Sequence, residues 1–212
     1  MTEHKEYTNL RLEIANSITH GIGIIFGIAA LPVLSAIAAN KDHTVAVVGA
    51  AVFGFSFLLV FTFSTLYHAF QNPRVKRVLN IFDHISIYFL IAGTYTPFLL
   101  NYMMNATGIT LLSVLWGLTF IGIIFKIFFT GRFNLVSTII YLAMGWILVF
   151  GGKQFFTAIP WPVLIMIIIG GVLYSIGTIF FLWEKLYYHH VIWHLFVLSA
   201  AICHYVAVLL MV

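Results

Sequence analysis

The sequence predicts an all-α integral membrane protein, built as a bundle of seven transmembrane helices. Of its 212 residues, 62% are hydrophobic and only 8% are charged, and the mean hydropathy is +1.07. Soluble domains carry roughly 25% charged residues, so most of this surface must face lipid rather than water. A soluble domain and a disordered chain are therefore excluded. The basic residues are scattered between apolar runs and form no patch suited to nucleic acid.

The charged residues divide the chain into uncharged stretches, which can be compared with the ~20 residues that a helix needs to cross the hydrocarbon core. Five stretches hold 20 to 31 residues, and each predicts one helix. The stretch from Asp83 to Lys126 encloses 42 residues, so it predicts two helices, joined at the polar segment 101–105. We predict the seven helices at 18–39, 45–70, 78–100, 108–129, 134–151, 160–183 and 187–211. In the same order, the residues or segments that precede them are Glu13, Asp42, the loop at 74–77, segment 101–105, Arg132, Lys153 and Lys185. No linker divides them, so we expect a single domain over 1–212.

The basic residues are distributed unevenly between the two ends of this bundle. One end holds eight of them, Lys5, Arg11, Arg74, Lys76, Arg77, Lys126, Arg132 and Lys185, and the other holds only Lys41 and Lys153. The positive-inside rule then predicts a cytoplasmic N-terminus, a C-terminus outside and a multi-pass position in the cell membrane. A signal peptide cleaved near Ala36 is the alternative for the first span, but a run of more than about 15 apolar residues favours a retained helix.

Three histidines and one carboxylate are expected in one layer just inside the cytoplasmic face. His190 and His194 are spaced i, i+4 on the last helix, which suits two ligands on one metal ion. His68, at the end of the second helix, supplies a third nitrogen and leaves a fourth position open, as in catalytic zinc sites. In soluble zinc proteases, the residue after the first histidine of such a pair is a Glu that acts as the general base, whereas this chain has Val191 at that position. Asp83 is the carboxylate at the right depth to take the proton of a water molecule that Zn²⁺ activates.

Several further polar residues lie near this layer. Ser64, one turn deeper than His68, could orient a ligand or a substrate carbonyl, or could bond back to its own helix. Glu13, Asn16 and His20 share one stripe of the first helix, where they could support a ligand, contact a substrate head group or form a polar seam between helices.

These motifs together resemble the hemolysin III family, within the progestin and adipoQ receptor (PAQR) superfamily that includes the adiponectin receptors. The resemblance covers nearly the whole chain, and the matching motifs are Glu13-x-x-Asn16-x-x-x-His20, Ser64-x-x-x-His68, Asp83 with Ala92-Gly-Thr-Tyr-Thr-Pro97, and His190-x-x-x-His194 with His204. It implies seven helices, a cytoplasmic N-terminus and a zinc ion near the cytoplasmic side. His68, His190 and His194 would be its ligands, with Asp83 acting through water and Ser64 beside them. His204 would support a ligand or contact the substrate.

The leading functional hypothesis is a zinc-dependent hydrolase of an amide or ester bond in a lipid-like substrate that enters from the bilayer. The superfamily resembles the alkaline ceramidases, and its adiponectin receptors are associated with hydrolysis of a lipid amide. Two alternatives stay open, a receptor-like regulator of membrane homeostasis with a structural zinc and a channel or cytolysin. The expected partners are membrane lipids, and the sequence leaves the oligomeric state open.

Overall fold

Helices make up nearly all of the chain that the computed structural model describes, which is residues 10–40 and 44–212. Within these residues, seven spans are long and apolar enough to cross a membrane, which confirms the predicted fold class. Six spans are single helices, and the fifth is divided into α5, a short 3-10 segment at Ile147–Gly151 and α6. The helices are α1 Leu10–Asn40, α2 Thr44–Ala69, α3 Pro73–Tyr102, α4 Ala106–Phe129, α5 Asn134–Gly145, α6 Gly152–Ala158, α7 Trp161–Leu182 and α8 His189–Met211.

Two helices begin several residues before their predicted starts. The predicted first helix began at residue 18, whereas α1 begins at Leu10 because Glu13 is buried and paired within the bundle. The predicted third helix began at 78, whereas α3 begins at Pro73. The Asn72 side chain accepts hydrogen bonds from the backbone N–H groups of Arg74 and Val75, and proline is favourable in the first turn.

The fifth span differs most from its predicted helix, 134–151. Helix α5 ends at Gly145, and the chain continues through the 3-10 segment into α6. The Tyr95 hydroxyl donates a hydrogen bond to the Gly145 carbonyl, which compensates for a helical bond lost at this break. Gly152 has a φ of 54°, a backbone conformation that favours glycine. Lys153 therefore lies inside the span rather than at its end.

Helix α2 packs against α1 and α3, and α8 packs against the same two helices. Together with α5 and α7, these four helices line the polar interior of the bundle. The outer face of α1 instead presents a row of exposed isoleucines at helical spacing, Ile14, Ile18, Ile22, Ile25 and Ile28. An apolar face of this kind is stable only against lipid, so the bundle is polar inside and apolar outside.

One end of the bundle contains the start of α1 and the turns at 70–72, 130–133 and 183–188, and we call it the basic end. It carries most of the described lysines and arginines, whereas Lys153 is near the opposite end. Lys5 and Lys41, which also entered the orientation argument, lie outside the described residues. The orientation of the two ends relative to the membrane stays a prediction.

A glycine at the α2–α3 contact provides a test of this packing. A Cβ added at Gly49 would lie 2.7 Å from the Pro97 Cα, and backbone cannot move aside as a flexible side chain can. We expect Gly49→Ala to lower the free energy of unfolding by about 1–3 kcal/mol, measured as thermal unfolding in detergent. The matched control is Gly117→Ala on α4, where nothing lies within 4 Å. Equal stability of the two variants would contradict this helix contact.

Candidate metal centre

Near the basic end, four helices contribute polar side chains to the interior. The first turns of α1 supply Glu13 and Asn16, and the last turn of α2 supplies His68. Asp83 comes from α3, and the start of α8 supplies the two histidines of the i, i+4 pair. Because the basic-end termini of α1, α2 and α8 meet here, residues distant in sequence share one layer.

The structure brings His68, His190 and His194 together. Their ligand nitrogens all lie within 4.8 Å of one another, so this group could hold a metal ion. The ring centroids of His190 and His194 are 4.6 Å apart, and the His68 centroid is 5.2 and 4.9 Å from theirs. His68 and His194 are buried. The i, i+4 spacing thus places the rings of His190 and His194 on one face of α8, and the His68 ring of α2 lies against that face.

His68 is held by a carboxylate from α1. Its Nδ1 lies 2.7 Å from Glu13 Oε2, and the other oxygen of Glu13 lies 2.8 Å from Lys76 Nζ. A hydrogen bond that Nδ1 donates to Glu13 leaves the Nε2 lone pair available to a metal. That Nε2 is buried and has no hydrogen-bond partner among the described residues. This is the arrangement in which a carboxylate orients a metal-ligating histidine.

His194 has a similar but longer support. Its Nδ1 lies 3.4 Å from the backbone carbonyl oxygen of Asn16, so here too Nε2 is the nitrogen left for a ligand. The His20 ring stacks on the His194 ring, with centroids 3.7 Å apart and an angle of 16° between the planes. His20 is outside the three-histidine group. Three imidazoles with two of their Nδ1 atoms engaged fit the donor set of a zinc site with one open position.

Asp83 and Ser64 lie beside the histidines on the wall of the same cavity. The carboxylate of Asp83 faces the Ser64 hydroxyl and is close enough to His68 for their charges to interact. Ser64 is buried, one turn before His68 on α2. The polar layer thus combines three histidines that could hold a metal ion with a carboxylate and a hydroxyl, which are groups that assist hydrolysis of a carbonyl compound.

A cavity of about 730 Å³ connects this layer with the interior of the bundle. Its wall includes the three histidines, Asp83 and Ser64, and deeper apolar residues such as Ile91, Ile167 and Val197. Cavities of roughly 300–1,000 Å³ hold small-molecule ligands. Most of the ionisable groups lie near the basic end, and the lining deeper in the bundle mixes apolar side chains with Tyr174 and His204, so the cavity suits a molecule with a polar head and an apolar chain.

His204, predicted beside the site, lies at the inner end of this cavity. It is ten residues beyond His194 on α8, about 15 Å along the helix axis at ~1.5 Å per residue. Its Nε2 donates a hydrogen bond to the Ile167 carbonyl at 3.2 Å, and its ring lies 5.6 Å from that of Tyr174. The structure therefore separates His204 from the histidine group, and a contact between His204 and substrate stays a prediction.

Lys76 is the residue of this network that sequence reasoning missed. Its position in a loop between two spans predicts only a topology signal, yet Lys76 neutralises one oxygen of Glu13 inside the bundle. The signal was its position seven residues before Asp83, on the same face of α3. A cation on the site-facing side of a helix indicates an internal partner rather than a loop position.

Comparison with known proteins gives close relatives along nearly the whole chain. A family model described as "Haemolysin-III related" matches residues 8–205. The "Hemolysin-3 homolog" of Bacillus subtilis (strain 168) is 45% identical over 200 residues, which is 94% of each chain. "Hemolysin-3" of Bacillus cereus is 47% identical over 197 residues, 93% of this chain and 90% of the relative. The human "Monocyte to macrophage differentiation factor" is 27% identical over 201 residues, 92% of this chain and 82% of that protein.

Proposed function

The chain belongs to the haemolysin-III-related family and is a multi-pass membrane protein, and from that premise we propose that it is a zinc-dependent hydrolase of an amide or ester bond in a lipid-like substrate. The observation that carries the proposal is the convergence of His68, His190 and His194 on the wall of a cavity. Ionisable groups inside a membrane bundle are costly, and they usually mark a functional site.

Each side chain near the histidines has a distinct role in this proposal. A divalent ion held by the three imidazoles would supply Lewis acidity for a carbonyl and would lower the pKa of water toward ~7. Asp83 accepts the proton of the water molecule that adds to the carbonyl carbon, and it returns that proton to the leaving nitrogen or oxygen as the bond breaks. Ser64 donates a hydrogen bond to the carbonyl oxygen as its negative charge develops. The products are a carboxylic acid and an amine or alcohol.

The apolar part of the cavity determines the substrate class. An acyl chain lying along Ile91, Ile167 and Val197 would bring its carbonyl to the histidine layer. Membrane lipids supply such chains from the bilayer, so we propose entry between helices rather than from water. We also propose that the basic end faces the cytoplasm, because positive residues are retained on that side.

The test of this function is a hydrolysis screen with the zinc-loaded protein in lipid nanodiscs. N-acyl sphingoid amides, N-acyl amines and acyl esters would be supplied, and released fatty acid would be measured by mass spectrometry. The proposal expects release from at least one class, and release should fall when zinc is removed with a chelator. No release from any class by a protein with full zinc content would overturn it.

A second candidate function is a regulator in which zinc is structural. It is favoured by the network of Glu13, His68 and Lys76, which ties α1, α2 and α3 together whether or not chemistry occurs. If removal of zinc unfolds the bundle while Asp83→Ala leaves the cellular phenotype intact, the regulatory function gains over the catalytic one.

Two relatives carry hemolysin names, so a cytolysin is the third candidate. Liposome leakage that survives His190→Ala and His194→Ala would favour it.

Glu13 provides a prediction about metal affinity. We expect Glu13→Gln to weaken zinc binding about 10- to 100-fold, because the neutral amide no longer stabilises the His68 orientation that presents Nε2. Competition with a chromogenic zinc chelator measures the affinity. Glu184→Gln is the matched control, since Glu184 is exposed in the α7–α8 turn. An unchanged affinity in Glu13→Gln would remove Glu13 from the site.

A further inference from the structure

A second polar cluster lies beside the cavity, on α3, α4 and α5. Lys126 on α4 is fully buried, and its Nζ has no hydrogen-bond partner among the residues that the structure describes. The same holds for His84 Nδ1 on α3 and Ser137 Oγ on α5, both of which line the cavity. Buried polar atoms are normally paired, so three on adjacent helices require an explanation.

Helix packing brings Lys126 to the level of His84. Gly122 of α4 lies against the Tyr88 ring of α3, and the two helices run antiparallel. One turn from this contact toward the basic end is Lys126 on α4 and His84 on α3, so these two residues lie opposite each other. Tyr141 of α5 donates a hydrogen bond to the His84 carbonyl oxygen at 3.2 Å, and Ser137 lies one turn from Tyr141 on the same helix.

The charge on Lys126 has no counterion within the described part of the chain. That part contains three carboxylate side chains, Glu13, Asp83 and Glu184. Glu13 is paired with His68 and Lys76, Asp83 faces Ser64 and His68, and Glu184 is exposed in a turn. An ammonium group buried without an opposite charge is strongly unfavourable, so the site calls for an anion from outside the chain.

We propose that Lys126, His84 and Ser137 form a binding site for an anionic oxygen group, a phosphate or a carboxylate, at the polar end of an amphiphile whose chain lies in the cavity. Lys126 supplies the charge, while His84 and Ser137 supply hydrogen-bonding groups at the cavity wall. The site lies on α3, α4 and α5, whereas the histidine group lies on α2 and α8. Binding here does not require hydrolysis, so the proposal stands or fails separately from the proposed function.

The experiment measures thermal stability of the full-length protein in a neutral detergent with matched pairs of amphiphiles. Dioctanoyl phosphatidylglycerol is compared with dioctanoylglycerol, which lacks the phosphate, and decanoate is compared with decanol. Inorganic phosphate alone is a further arm. We expect an anionic member to raise the melting temperature more than its neutral match. A response to phosphatidylglycerol identifies a phospholipid, one to decanoate a fatty acid, and one to inorganic phosphate a free anion.

The variants assign any response to this cluster. Lys126→Met should weaken the apparent affinity for the active anion about tenfold or more, because a charged hydrogen bond is lost. Lys185→Met is the matched control, since Lys185 is exposed in a turn near the same end, and it should leave the affinity unchanged. If Lys126→Met does not fold, Lys126→Arg should retain the response, and native mass spectrometry of the unmodified protein should show one bound anionic amphiphile and no neutral match. Equal responses to anionic and neutral members, or an undiminished response in Lys126→Met, would overturn the proposal.

Discussion

Replacement of Asp83 by asparagine is expected to lower the rate of hydrolysis about 10²- to 10⁴-fold, the usual contribution of a general base. Asparagine has nearly the same shape and can still bond to Ser64, but it cannot accept the proton of the attacking water. Because Asp83 is not one of the three converging ligands, zinc content should stay at the wild-type level. The rate is measured as fatty acid released from the best substrate of the screen, and zinc is measured on the same preparation.

The control for this prediction is Glu184→Gln, which removes a carboxylate from an exposed turn and should leave the rate unchanged. An Asp83→Asn variant with the wild-type rate would remove Asp83 from the mechanism. Loss of zinc together with activity would instead assign Asp83 to metal binding.

The second large effect is expected at the i, i+4 pair of α8. His194→Ala should abolish zinc binding and reduce hydrolysis to the background of the assay, because two imidazoles hold the ion far more weakly than three. Residues that act as one unit have non-additive effects. The double variant with His190→Ala should therefore be no less active than either single variant.

His189 and His20 are matched controls for this pair. His189 precedes His190 on the same helix and His20 stacks on His194, yet neither belongs to the converging group. We expect His189→Ala and His20→Phe to keep zinc and most of the activity. If these variants lose zinc as completely as His194→Ala, the loss reflects general damage to the interior rather than removal of a ligand.

The seven spans were predictable because composition alone separates them. Lipid tolerates few charges, so uncharged runs of sufficient length mark the helices even where the hydrophobic residues show no helical periodicity. The start of α1 was not predictable in this way. The charges of Arg11 and Glu13 shift the predicted start to residue 18, and only the partners of Glu13 on α2 and α3, 55 and 63 residues away in sequence, make its burial favourable. By contrast, Asn72-Pro73 is a helix-start signal that the sequence carried and that the prediction of a start at 78 did not use.

The site was predictable to the level of which residues share a layer. Depth along each helix placed His68, His190 and His194 together, and the structure brings them within 4.8 Å. Which nitrogen of each ring is engaged depends on contacts between helices, and these have no local signal in the sequence. The break of the fifth span depends in the same way on Tyr95, which reaches Gly145 from another helix.

The most direct test of the central claim is the zinc content of the detergent-purified protein, measured by elemental mass spectrometry without chelators. Wild type is compared with the variant that carries His190→Ala and His194→Ala. We expect about one zinc ion per chain in wild type and none in the variant, as three imidazoles on one ion require. A wild-type protein without metal, or a variant that retains it, would contradict a metal centre at these histidines and, with it, the hydrolase.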